Sequence, residues 1–168
     1  MGLCGILAHH IGAQSCILTD GDTDTLQEMR RNVTHNQESS SHSTTTTTAA
    51  NANTKNKITC AQLRWGRHVS TFRERFGVFD VIMGSDIIYV EEIIEPLFDT
   101  VQQLLRCKSH STQTVTCSDG NEDEPKFLLA YARRNVNIEL VFDCAKRHGF
   151  QWMEPDDVEG VFVFTRIK

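Results

Sequence analysis

The chain has 168 residues, 39% hydrophobic and 23% charged, the balance of an ordinary soluble globular domain, so one domain is the starting expectation. Its 17 Lys and Arg against 22 Asp and Glu leave a net charge of −5, which gives no global attraction to nucleic acid or to an anionic membrane surface. No apolar run approaches the ~18 residues of a membrane span and no basic segment precedes the short apolar start, so a soluble, cytoplasmic monomer is expected.

Gly2 opens the chain ahead of a stretch that reads as a helix from Leu3 to Ile11. Ser15-Cys16-Ile17-Leu18-Thr19-Asp20, between Gly12 and Gly21, is a short apolar run ending in a carboxylate, as a buried strand between turns would be. Asp22 or Thr23 then caps a helix whose Leu26, Met29 and Val33 recur at i, i+3 and i+7. From 34 to 57 the pattern stops: nine of the ten residues from 39 to 48 are Ser or Thr, so the stretch has nothing to bury against its ordering entropy and is expected to be a disordered insertion.

Residues 58–63 alternate as a strand and end at Trp65-Gly66. Residues 78–84 are almost continuously apolar, which predicts a strand covered on both faces, leading into Ser85-Asp86-Ile87-Ile88-Tyr89. Between Glu91 and Arg106 the stripe Ile93, Ile94, Leu97, Phe98, Val101, Leu104 and Leu105 predicts a helix. Pro96 would clash deep inside it, so the helix either starts near Glu95 or follows a short separate turn. A polar loop over 107–125 precedes a covered strand at 127–132. A helix from Val136 to His148 stops at Gly149, and strands follow at 151–153 and 161–167. The order predicts an α/β sheet, mostly parallel, with an antiparallel pair near the C-terminus.

In open α/β sheets ligands bind at the carboxyl ends of strands, which makes Asp20, Trp65, Ser85 with Asp86, and Arg133-Arg134 the candidates. A carboxylate such as Asp20 offers acceptors to a ribose diol, though a helix-capping aspartate explains it equally. Trp65 can edge a nucleoside pocket or simply pack in the core. Asp86 and Tyr89 can hold or desolvate an amine; the plainer alternative is a helix cap and a half-buried tyrosine. The six cysteines (Cys4, Cys16, Cys60, Cys107, Cys117 and Cys144) contain no C-x-x-C, and His9, His10 and His68 have no partner at ligand spacing. No metal site or disulfide framework is expected.

Together these residues resemble a known family. Gly2-Leu3-Cys4-Gly5-Ile6 looks like the tail of the glycine-rich loop of class I S-adenosylmethionine-dependent methyltransferases, Ile17-Leu18-Thr19-Asp20 like the acidic end of their second strand, and Leu63-Arg64-Trp65-Gly66 like their third. Gly84-Ser85-Asp86-Ile87-Ile88-Tyr89 resembles the D-x-x-Y box of the seven-β-strand protein-lysine methyltransferases grouped as methyltransferase family 16. The resemblance implies a Rossmann-like sheet in one domain over 1–168, S-adenosylmethionine as cofactor and a lysine of a protein as acceptor. Asp20 would hold the cofactor ribose, Trp65 would contact the adenine region, Ser85 would line the cofactor pocket and Gly2 would be the last glycine of the loop. Asp86 and Tyr89 would shape the acceptor side.

The same comparison implies a departure: the family's first strand and the first two glycines of its loop fall before Met1, so a truncated product, a mispredicted start or a non-catalytic remnant is expected. The alternatives are a methyltransferase-fold binding module and a nicotinamide-dependent oxidoreductase. The oxidoreductase leaves Trp65-Gly66 and Asp86-Ile87-Ile88-Tyr89 unexplained and lacks an intact G-x-G-x-x-G.

Overall fold

A computed structural model describes residues 1–40, 57–107, 124–132 and 136–168. The chain is an α/β protein whose residues fall into two compact units, Met1–Arg64 and Trp65–Lys168. Most of the expected 34–57 insertion, the bulk of the 107–125 loop, and Arg133 with Arg134 lie outside the described residues. Among the described residues no helix is long and apolar enough to cross a membrane.

The first unit runs α1 (Leu3–His10), β1 (Ser15–Asp20), α2 (Thr23–Ser40) and β2 (Lys57–Gln62). α2 continues past Thr34, where the apolar stripe ends; backbone hydrogen bonding carries a helix beyond its last buried turn at small cost per residue. β1 and β2 pair in parallel, with Cys16 beside Ile58 and Leu18 beside Cys60. Leu26, Met29 and Val33 are all buried, with Ile6, Cys16 and Leu18, in one cluster between helices and strands. Gly2 permits the tight approach of α1 to that cluster: its φ is 82°, and a Cβ there would stand 2.7 Å from Leu18 Cδ2 and 3.0 Å from Met29 Cγ.

The second unit runs α3 (Val69–Phe76), β3 (Val81–Ser85), a 3₁₀ turn (Glu91–Ile93), α4 (Ile94–Leu104), β4 (Lys126–Ala130), α5 (Ile138–Arg147), β5 (Phe150–Met153) and β6 (Val161–Arg166). Its sheet has the order β3-β4-β6-β5, with β3 and β4 parallel and β6 antiparallel to both β4 and β5. Phe98 of α4, Phe127 of β4, Phe150 of β5 and Phe164 of β6 are completely buried, with Phe98 and Phe164 edge to face at 5.4 Å between centroids. Each such ring contributes roughly 1.5–3 kcal/mol on burial, so this cluster is the main stabilising mass of the unit.

Two readings are corrected, and a third, for Pro96, is met in both its forms. The short helix α3 was not anticipated: its core anchors, Val69 and Phe72, are only two residues in a stretch rich in Arg and Glu. β3 is covered on one face only: side chains alternate along a strand, so Ile82 and Gly84 face the core while Val81 and Met83, on the other face, are 44% and 45% exposed. Both alternatives for Pro96 occur together: a 3₁₀ turn comes first, and Pro96 then sits in the first turn of α4, where a missing N–H costs no intrahelical bond.

Candidate functional site

In the first unit the candidate residues gather where β1 turns into α2. Asp20 closes β1, its carbonyl accepting the Leu63 N–H at 3.0 Å while its carboxylate accepts the Asp22 N–H at 2.8 Å. One main-chain donor does not exhaust a carboxylate, which has about four lone-pair sites. Asp22 caps α2, its Oδ1 accepting the N–H groups of Asp24 at 3.0 Å and Thr25 at 2.8 Å. The Thr25 N–H is the largest of the causes that hold the Asp22 carboxyl below its ordinary value; Asp24 and the charge of Arg64 add to it. The Gly21 carbonyl accepts from Gln62 Nε2 at 3.0 Å and Arg64 Nε at 3.2 Å, so the acidic turn is fastened to the end of β2.

In the second unit the Trp65-Gly66 turn is fixed to α4. Gly66 has φ 70°, and its N–H donates to Thr100 Oγ1 at 2.9 Å. The Thr100 hydroxyl in turn donates to the Pro96 carbonyl at 2.8 Å. Trp65 is half-buried and packs against the unit's core.

Ser85 ends β3 beside Ala130 of β4 and is exposed. The Asp86 N–H donates to the Ala130 carbonyl at 2.9 Å, and Asp86 has φ 55°, a left-handed conformation uncommon for a residue with a Cβ. Ile87 and Ile88 turn into the core, leaving Asp86 half-buried and Tyr89 58% exposed. Asp86 is not a helix cap, since the following 3₁₀ turn starts at Glu91 with Val90 in the capping position. The structure therefore keeps Gly2 with Asp20 in one unit and Trp65, Ser85, Asp86 and Tyr89 in the other.

A cluster that sequence reasoning missed joins α4 to α5. Glu95 accepts from Arg147 Nη2 at 2.7 Å and from Cys144 Sγ at 3.2 Å through Oε2, and its Oε1 lies 2.8 Å from His148 Nε2. Arg147, then His148 and Cys144, hold the Glu95 carboxyl down to about 2. Burial, then Glu95, pushes the Cys144 thiol up to about 12. The signal was available in part: Cys144, Arg147 and His148 stand at i, i+3 and i+4 on one helical face.

A sequence model of the lysine methyltransferase family matches residues 1–135, a stretch that contains Gly2, Asp20, Trp65-Gly66 and Ser85 to Tyr89. The chain belongs to that family. Among its relatives is protein N-lysine methyltransferase METTL21A of Mus musculus, 28% identical over 145 residues that make up 86% of this chain and 58% of the relative. METTL21A of Xenopus tropicalis is 33% identical over 103 residues, 61% of this chain and 39% of the relative. METTL21A of Danio rerio is 25% identical over 145 residues, again 86% and 58%. The chain thus spans about half the length of the curated relatives it matches.

Proposed function

We propose that this protein transfers a methyl group from S-adenosylmethionine to the side-chain amine of a lysine in a protein substrate. The chain would form one Rossmann-like class I methyltransferase domain, its sheet mostly parallel with a C-terminal antiparallel pair. The observation that carries the reading is the family match across residues 1–135. The parallel ladders β1-β2 and β3-β4 and the antiparallel pair of β5 and β6 are consistent with the sheet.

The residues present suit the cofactor. Asp20 has acceptor capacity beyond the Asp22 N–H and sits at a strand's carboxyl end, as a ribose diol requires. Gly2 provides the close helix-to-strand packing expected of the last glycine of such a loop. When bound, S-adenosylmethionine supplies a sulfonium methyl group, and its transfer to a neutral amine needs no nucleophile from the protein. The protein's own part is positioning. Asp20 holds the ribose, Trp65 offers its ring to the adenine region, and Ser85 lines the cofactor pocket. Asp86 orients the incoming lysine and the ring of Tyr89 helps desolvate it, favouring the uncharged amine. The left-handed backbone of Asp86 supports a role there, since strain of this kind collects at functional sites.

The test is calorimetric titration with S-adenosylmethionine together with transfer of labelled methyl groups to lysines of a protein extract. Asp20→Ala is expected to weaken cofactor binding about 10- to 100-fold, from the loss of charged hydrogen bonds worth roughly 1.5–3 kcal/mol each. Asp20→Asn, which keeps an acceptor for the Asp22 N–H, should lose most of the same affinity. Binding without methyl transfer would make the chain a non-catalytic member of the family, and an Asp20→Ala variant that binds as tightly as the parent would refute the assignment of Asp20.

A further inference from the structure

We propose that Glu95, Cys144 and His148 form a binding site for a single divalent transition metal ion, zinc by its chemistry, between α4 and α5. The inference is independent of the methyl-transfer reading. Glu95 lies in the first turn of α4; Cys144 lies in the last turn of α5, and His148, four residues on, caps the end of that helix. One ligand atom from each lies within 4.8 Å of the other two. A tetrahedral ion with bonds of about 2.0–2.3 Å spaces its ligands roughly 3.3–3.8 Å apart. The Glu95 contacts to Cys144 and His148, at 3.2 Å and 2.8 Å, both fall just short of that spacing, so the three side chains need only spread slightly to admit an ion. The remaining sulfur-to-imidazole separation is no more than 4.8 Å.

The donor set is selective. A thiolate and an imidazole with one carboxylate match the mixed sulfur, nitrogen and oxygen coordination of zinc rather than the all-oxygen shells of calcium or magnesium. A cavity of about 230 Å³ lies beside the cluster, with Glu95, Cys144 and Arg147 in its lining. Water from that side would take the fourth coordination position. Cys144 is 1% exposed, yet its S–H points at a carboxylate instead of apolar carbon.

In the metal-free protein three donors converge on Glu95: the Cys144 S–H, the Arg147 guanidinium and the His148 ring. A bound ion replaces them with one charge. Binding breaks the Cys144 S–H bond, forms a sulfur-to-metal bond and releases the proton to solvent, with no change of oxidation state. An adjacent 2+ charge favours the thiolate over the thiol. Thiolate and carboxylate neutralise the ion. Arg147, whose side chain is 61% exposed, can turn to water when it gives up Glu95.

The experiment treats the full chain with a chelator, then titrates it with zinc alone and, separately, with cobalt(II) alone. We expect one ion per chain, about one proton released per ion as read from buffer-dependent heats, and a thiolate-to-cobalt charge-transfer band. Cys144→Ser should abolish the band, and Glu95→Gln and His148→Gln should each weaken zinc binding at least 10-fold. Glu95→Gln changes an exposed side chain, so it keeps the test open if Cys144→Ser folds poorly. Absence of binding would overturn the proposal. So would a band that survives Cys144→Ser, which would place the ion on other thiols, or zinc affinity indifferent to Glu95→Gln and His148→Gln.

Discussion

The bridge from Gly66 through Thr100 to Pro96 ties the Trp65 turn to α4, and Thr100→Val tests it directly. Thr100 is 3% exposed, and valine replaces its hydroxyl with a methyl group of similar volume. The variant loses the bond from the Gly66 N–H at 2.9 Å and the bond to the Pro96 carbonyl at 2.8 Å. A buried donor left without a partner costs roughly 1–3 kcal/mol, whereas one that water can reach costs nearer the net value of a hydrogen bond, about 1 kcal/mol. Gly66 is exposed on its outer side, so the lower figure applies. The expected loss is about 1 kcal/mol, or roughly 2–4 °C in the melting midpoint of a chain this size. Urea denaturation followed by far-ultraviolet circular dichroism measures the energy, and hydrogen exchange at the Gly66 amide isolates the bond. Protection at Gly66 should vanish in Thr100→Val and survive in Thr100→Ser. A Val variant within about 0.3 kcal/mol of the parent, with Gly66 still protected, would refute the bridge.

Gly2→Ala should destabilise the protein by about 2 kcal/mol, combining a left-handed backbone penalty with overpacking against Leu18 and Met29; equal urea midpoints for parent and variant would contradict the packing described. The Asp22 carboxyl ionises at lower pH in the folded chain than its ordinary value of 3.8, so its contribution is complete above that value and is lost as the pH falls through the depressed one. Asp22→Ala should therefore be less stable than the parent near neutrality and show a flatter loss of stability below about pH 4. Parallel acid profiles would exclude Asp22 as the cap.

Where local chemistry decides, the sequence was a sufficient guide. β1 occupies Ser15–Asp20 as read, because a short apolar run between glycines has few other ways to bury itself. The stripe Leu26, Met29 and Val33 went inward because helical periodicity leaves those side chains on one face. The turns at Asp20, Trp65-Gly66 and Asp86 were legible because they end strands. Their fastening was not, since Thr100 reads as one more helical residue until its hydroxyl is seen beneath Gly66.

Alternation of strands and helices alone determined that this is an α/β chain, and a few short boxes determined its family. Strand order required the tertiary structure: β6 inserts antiparallel between β4 and β5, and every strand presents the same backbone donors and acceptors to any neighbour. Exposure on β3 was likewise undecided, because an apolar run is equally apolar at the centre and at the edge of a sheet. Glu95 and Cys144 are 49 residues apart in the chain and 3.2 Å apart in space. Proximity of that kind belongs to the packing of α4 on α5 and to no local pattern.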